Sequence, residues 1–174
     1  MARRRYYRRS ARVIVPKKKW ATNIVSSSIS TTAAAQTNDS AYFVLAQNSS
    51  QSATPTPFVV KTGNFKIQGD CYITSQAPIG STSQITLYVM YLPEVVYSTV
   101  SAPNVNILGT VIGDHPEWIM GWKVIDLNVG GTTSNGNSFT FSSRLKRNLS
   151  SGDRIVLAAV IRNGQTVSAD VTIN

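Results

Sequence analysis

The chain has 174 residues, of which 17 are lysine or arginine and 8 are aspartate or glutamate, so its formal net charge is +9. A single cysteine and a single histidine exclude an internal disulfide framework and argue against a zinc site built from these residues. No apolar run approaches the roughly 18 residues needed to cross a bilayer, and we expect no membrane span.

The basic residues are concentrated at the amino terminus. Residues 1–19 hold nine of them and no acidic residue, whereas residues 20–174 hold eight basic and eight acidic residues and are neutral overall. Like charges at this density repel one another, and a segment with so few apolar residues cannot offset its ordering entropy, so we expect the arm to be disordered when free. The sequence therefore predicts a basic arm, residues 1–19, and one domain, residues 20–174.

The composition of the arm is typical of a segment that binds single-stranded nucleic acid. Arginine presents a planar fork of donors that matches phosphate oxygens, and aromatic rings among the cations allow bases to stack. If all nine charges contacted phosphates, the logarithm of the binding constant would fall with that of the salt concentration with a slope of about 6. We assign this role to Arg3, Arg4, Arg5, Tyr6, Tyr7, Arg8, Arg9, Arg12, Lys17, Lys18, Lys19 and Trp20.

Other functions are compatible with an arginine-rich terminus. A nuclear localisation signal has the same composition and can coexist with nucleic-acid binding in one segment. A mitochondrial presequence should form an amphipathic helix, which Pro16 and the clustered charges disfavour, and a solvated tail would not need nine charges. Phosphate contacts and base stacking suit DNA and RNA alike.

From residue 20 onward, alternation of apolar and polar residues predicts eight strands. The first two are the segments 20–34 and 40–47. The predicted core faces of the other six are Phe65, Ile67, Cys71 and Ile73; Ile85, Leu87, Val89 and Tyr91; Trp118, Met120, Trp122 and Val124; Phe139, Phe141 and Leu145; Ile155, Leu157, Ala159 and Ile161; and Val167, Ala169, Val171 and Ile173.

Turn residues separate these segments. Asn163-Gly164 predicts a two-residue hairpin, Ser151-Gly152-Asp153 a short turn, and Asn135-Gly136-Asn137 a break between strands. The segments 48–57 and 93–116 are long loops, which in compact domains are usually functional surfaces. We therefore predict an all-β fold, an eight-stranded antiparallel jelly-roll sandwich with a disordered basic arm.

The sequence carries no signature of catalysis. Asp114-His115 is the one acid–base pair that stands out, but no nucleophile or orienting group is indicated beside it, so we expect a solvated loop histidine. Cys71 lies on the apolar face of its strand and is expected to be a buried small hydrophobe. We expect no enzymatic activity, no cofactor and no metal ion.

A second basic cluster lies in the domain, at Arg144, Lys146 and Arg147. Charges on an edge strand prevent strands of other molecules from pairing with it. The alternative is a second patch beside the arm that contacts phosphates. The sequence does not choose between the two.

Several features follow one another along the chain: the arm Arg3-Arg4-Arg5-Tyr6-Tyr7-Arg8-Arg9, Trp20 before the first strand, and the late segments 143–149 and 151–155. In this order of features the chain resembles the coat proteins of small circular single-stranded DNA viruses, the circovirus-like group. The resemblance covers most of the chain as architecture. It implies a capsid protein that self-assembles into the smallest icosahedral shell (T=1) of about sixty copies, with the arm inside on the genome. It also implies location in the virion, and in the host nucleus during assembly, where nuclear import factors would recognise the arm.

The charge distribution points to the same division of function. A neutral domain can associate without self-repulsion, whereas cationic arms repel one another unless a polyanion is present, so assembly and packaging should be coupled. One alternative is a non-assembling β-sandwich module that binds nucleic acid through a basic tail. Another is a β-sandwich enzyme or lectin with an incidental tail.

Overall fold

The computed structural model describes residues 22–48, 59–74, 81–95, 112–129, 135–165 and 167–174. The predicted arm, Trp20 and most of the two long loops lie outside the described residues. The strands are β1 Ile29–Ala33, β2 Asn38–Gln47, β3 Val60–Thr74, β4 Ser81–Leu92, β5 Ile119–Val129, β6 Asn135–Leu149, β7 Arg154–Asn163 and β8 Ala169–Ile173, and a one-turn 3₁₀ helix, Pro116–Trp118, precedes β5.

The strands form two four-stranded antiparallel sheets, in the orders β1-β8-β3-β6 and β2-β7-β4-β5. The first strand of the chain pairs with the last, the second with the seventh, the third with the sixth and the fourth with the fifth. The two halves of the chain thus run side by side as one long hairpin that is folded into a sandwich, which is the jelly-roll arrangement. The predicted all-β, eight-stranded antiparallel sandwich is confirmed.

The core lies between the sheets and is built by the alternating apolar residues. Ile73, Ile85, Leu87, Ile155 and Ile161 are fully buried there, and burial of each such side chain contributes about 1.5–3 kcal/mol. The prediction that Cys71 is a core residue is confirmed. A smaller cluster of Met90, Leu92, Val156 and Ala158 lies on the outer face of the second sheet, where Ile112 and Trp118 pack against it.

The predicted core face of the fifth strand is confirmed only at Met120, because Trp118 lies in the 3₁₀ helix and packs against the outer cluster. Trp122 is 63% exposed, and Ile125 and Leu127 fill the core instead. Val89 pairs with Gly121 and Met90 with Ile119, which leaves Met120 as an extra residue on β5. Such a bulge reverses the alternation that follows it. A similar irregularity in the pairing of β3 with β6 leaves the predicted core residue Leu145 52% exposed.

Two of the turn predictions are also wrong, and one is confirmed. Asn163-Gly164 does not close a hairpin, because β7 and β8 belong to different sheets. Residues 135–137 lie within β6 and pair with residues 71–73 of β3. The turn at 151–153 is present, with Gly152 at φ 84°, and β1 begins at Ile29, later than the segment 20–34 suggested.

Asn163 instead joins the two sheets at a corner. Its side-chain amide donates to the carbonyl oxygens of Ala33, Ala34 and Val167, each at 3.0 Å. Its carbonyl oxygen accepts the backbone N–H of Gln165 at 3.1 Å. Asn163 is buried, and buried polar groups must be hydrogen-bonded, so this side chain determines the path of the crossover between the sheets.

Candidate nucleic-acid interface

The pairing of β3 with β6 collects most of the basic side chains of the domain. Lys61 lies opposite Asn148, Thr62 opposite Arg147 and Gly63 opposite Lys146. Five of the eight basic residues of the domain thereby share two neighbouring strands, and no acidic residue lies in the paired segments 60–67 and 141–149. We call Lys61, Lys66, Arg144, Lys146 and Arg147 the β3–β6 basic cluster.

The three residues predicted as a second patch all belong to this cluster, but their surroundings differ. Arg144 and Lys146 are exposed on β6, which is the edge strand of its sheet, whereas Arg147 is half-buried. The stem of Lys146 passes over Gly63, since a Cβ atom at that position would lie 2.5 Å from the Lys146 Cγ atom. The stem of Lys146 thus packs against β3 in a close approach that only glycine permits.

Arg147 is held from two sides. Its guanidinium carbon lies 5.5 Å from the centre of the Tyr91 ring, within the range of a cation–π interaction. Its Nη2 group donates to the backbone carbonyl oxygen of Glu117. The guanidinium therefore has a defined position next to β4, and the remaining members of its five N–H donors can face a ligand.

A buried carboxylate supports the ring beneath Arg147. Asp153, only 6% exposed, accepts hydrogen bonds from the Tyr91 hydroxyl at 2.7 Å, the Ser150 N–H at 2.8 Å and the Glu94 N–H at 3.3 Å. These donors offset the cost of burying the charge. Burial, and then the hydrogen bond to Asp153, raise the pKa of Tyr91 to about 12.

His115 and Trp118 pack beside the Tyr91 ring. The His115 ring stacks on that of Trp118, with the ring centres 3.8 Å apart and an interplanar angle of 9°. The Trp118 and Tyr91 rings form a T-shaped pair whose centres are 6.4 Å apart. The carboxylate that faces the Nδ1 atom of His115 is that of Glu117, at 3.0 Å, rather than that of Asp114, which the sequence singled out. Hydrogen bonds from its own backbone N–H and from His115 lower the pKa of Glu117.

An open depression in the surface is lined by Lys61, Tyr91, Lys146, Arg147 and Asn148. We call it the Arg147 depression. Its lining combines three cationic side chains with an amide and a phenolic ring, and contains no acidic residue. Such a lining attracts anions, and the arginine fork suits phosphate in particular. The sequence offered no local signal for Lys61 or Lys66, since they join the cluster only through cross-strand pairing.

Cys71, the single cysteine of the chain, is buried in the core. Burial, and then the charge of Asp70, raise the pKa of Cys71 to about 12, so the thiol is protonated at neutral pH and is a poor nucleophile. Within the described ranges, no three His, Cys, Asp or Glu side chains come together in a way that could hold a metal ion. None of the helices there is long and apolar enough to cross a membrane.

Comparison with known proteins adds little to these observations. No protein family and no curated protein matches the chain. A solved structure entitled "Structure of infectious bursal disease virus Gx strain" aligns with 91% of this chain and 40% of that chain, at 12% identity and a TM-score of 0.26. The chain thus spans less than half the length of that chain. This similarity is too low to indicate a function.

Proposed function

We propose that the protein is a viral capsid protein that self-assembles into a closed icosahedral shell and packages single-stranded nucleic acid through its basic arm. The observation that carries the proposal is the separation of charge, with all of the net +9 on residues 1–19 and none on the rest. The domain that follows the arm is a jelly-roll sandwich, and in the proposal identical copies of it form the shell.

The fold supports cooperation between the arm and the β3–β6 basic cluster. Strands β1 and β3 both run antiparallel to β8, so the chain approaches β1 from the side on which β3 begins and the cluster lies. Both strands belong to one sheet, with only β8 between them. Through their shared partner Ile173, the start of β1 at Ile29 lies level with Cys71. Lys61 lies ten positions earlier on β3, about 33 Å away at 3.3 Å per residue. We propose that one nucleic-acid strand covers this distance and contacts both the arm and the cluster.

The remaining parts of the proposal follow from the resemblance to circovirus-like coat proteins. The shell would have T=1 symmetry with about sixty copies, the packaged polymer would be circular single-stranded DNA, and the arm would also bind host nuclear import factors. The protein would be found in the virion, and in the host nucleus during assembly. We propose a structural and binding role rather than an enzymatic one, with no cofactor and no membrane partner.

Electron microscopy of the expressed protein with and without single-stranded DNA tests assembly. Closed particles of uniform size are expected, and a monodisperse monomer under all salt conditions would contradict the proposal. A monomer that loses nucleic-acid binding on deletion of residues 1–19, and changes in nothing else, would instead identify a non-assembling binding module. Nuclease typing of the packaged polymer distinguishes DNA from RNA.

A charge-removal variant tests packaging. Replacement of Arg3, Arg4, Arg5, Arg8, Arg9 and Arg12 by alanine should strongly lower the ratio of nucleic-acid to protein absorbance in purified particles, because these side chains neutralise the phosphates. The thermal unfolding of the domain should not change. A matched variant in which the same arginines become lysine keeps the charge and should retain most of the packaged polymer. An unchanged absorbance ratio in the alanine variant would refute the assigned role of the arm.

A further inference from the structure

The Arg147 depression brings together side chains from distant parts of the chain. Lys61 comes from the start of β3, Tyr91 from the end of β4, and Lys146, Arg147 and Asn148 from the end of β6. It lies within the domain and is therefore distinct from the arm. Its geometry is that of the folded sandwich, whereas the chemistry of the arm follows from composition alone.

The Arg147 guanidinium and the stem of Lys146 are packed against the domain before any ligand arrives. Arg147 is positioned by the Tyr91 ring and by the Glu117 carbonyl oxygen, and the Cβ and Cγ atoms of Lys146 pack over Gly63. The nearby carboxylate of Glu117 is hydrogen-bonded to His115, and the charge of Arg147 is a further, smaller cause of its lowered pKa. A charged group that is already in place loses less entropy when it binds a ligand, and Arg147 meets this condition.

We propose that the Arg147 depression binds a single phosphate group, supplied by the backbone of the packaged nucleic acid. The Arg147 fork would bind two phosphate oxygens, the Lys61 and Lys146 ammonium groups would neutralise the charge, and the Asn148 amide would donate a further hydrogen bond. The identity of the phosphate source rests on the proposed function. The depression thus fixes the position of the nucleic-acid strand on the sandwich, in addition to the nonspecific attraction of the arm.

Lysine acylation followed by peptide mapping tests the site in the full-length protein. Acylation is measured alone, with inorganic phosphate, and with a short oligothymidylate. At a ligand concentration of about ten times its Kd, acylation of Lys61 and Lys146 should fall about tenfold, while Lys123 on β5 should react as before. Lys61→Gln should weaken the protection of Lys146, because one of the three cations is lost. Lys123→Gln removes the same charge elsewhere and should leave that protection intact.

The outcomes separate the two proposals. If the arm lysines 17–19 are protected by the oligonucleotide but Lys61 and Lys146 are not, the phosphate site is refuted and the role of the arm stands. If no lysine is protected, both proposals fail. Protection of Lys61 and Lys146 by inorganic phosphate but not by the oligonucleotide would assign the depression to free phosphate and refute a nucleic-acid source. Equal protection of Lys123 would show general electrostatic attraction and would also refute a defined site.

Discussion

The hydroxyl group of Tyr91 can be removed without disturbing the ring that supports Arg147. Tyr91→Phe deletes the donor that lies 2.7 Å from the buried Asp153 carboxylate. The phenyl ring retains its contacts with Arg147 and Trp118. The variant therefore isolates one hydrogen bond at the corner where β4 meets the turn between β6 and β7.

The expected loss of stability is about 1.5–3 kcal/mol, the range for a hydrogen bond to a charged group. Two backbone N–H donors, from Ser150 and Glu94, still satisfy Asp153 in the variant, so the loss should not exceed this range. Equilibrium unfolding in urea measures it, and the midpoint should fall by about 1 M for an unfolding slope of about 2 kcal/mol/M. Tyr88→Phe, at a partly buried tyrosine against the outer cluster of the same sheet, is the matched control and should change stability by less than about 0.5 kcal/mol.

The pH dependence of stability provides an independent test of the same bond. The pKa of Tyr91 is raised in the folded state from 10.0 to about 12, so its contribution is fully present below pH 10.0 and is lost as the pH rises towards 12. Tyr91→Phe should remove this part of the alkaline decline. The decline due to the thiol of Cys71, which begins above pH 9.0, occurs in both proteins and cancels in the comparison. A variant as stable as the parent, with an unchanged alkaline profile, would refute the role assigned to the hydroxyl.

Three further predictions concern the fold. Gly152→Ala should cost at least about 1–2 kcal/mol in a denaturation experiment, because alanine is strained at φ 84° and its Cβ atom would clash with the Glu94 Cδ atom. Gly113→Ala, where a Cβ atom meets nothing within 4 Å, should be close to neutral. Asn163→Ala should lower the free energy of unfolding by about 3 kcal/mol, since it removes buried hydrogen bonds at the corner between the sheets, and a loss similar to that of an exposed asparagine would contradict this. Cys71 should react with a thiol reagent only after unfolding, because it is buried with a raised pKa; rapid modification of the native protein would show that the core assignment is wrong.

Local sequence predicted the strands well because burial of one face of a sheet imposes a period of two on the residues themselves. All eight predicted strands are present, and most of the named core faces are buried. The errors at Trp122 and Leu145 have one cause. Trp122 lies beyond the bulge of β5, and Leu145 lies within the irregularity of β6 between Ser143 and Lys146. The position of each is set by the partner strand and leaves no signal in the alternation.

The hairpin predicted at Asn163-Gly164 was wrong for a different reason. Asn-Gly is a strong hairpin signal because both residues tolerate positive φ, but Asn163 is required here for the hydrogen bonds of its side chain to carbonyl oxygens of the β1–β2 turn. Those partners lie 130 and 129 positions away in the chain. Tertiary contacts therefore overrode the local preference.

The basic cluster was found from the sequence only in part. Arg144, Lys146 and Arg147 are close together in the sequence, so the sequence alone identifies them as a cluster. Lys61 joins them only because β3 pairs with β6. Its neighbour Thr62 lies opposite Arg147, which is 85 positions away in the chain. The anchoring of Arg147 by Tyr91 and Glu117 is likewise a product of the fold, since no spacing within the sequence relates these three residues.

The amino-acid sequence by itself determined that the charge is divided between a basic arm and a neutral domain, because charge is a sum over residues and needs no geometry. It also determined which segments become strands, because alternation is a local property. Only the tertiary structure decided that β3 lies beside β6 and that Asp153 is buried beneath Tyr91. Backbone hydrogen bonds are alike for every residue, so the choice of partner and register is made by the packing of whole faces against one another, and the phosphate site proposed for the domain exists only because of that choice.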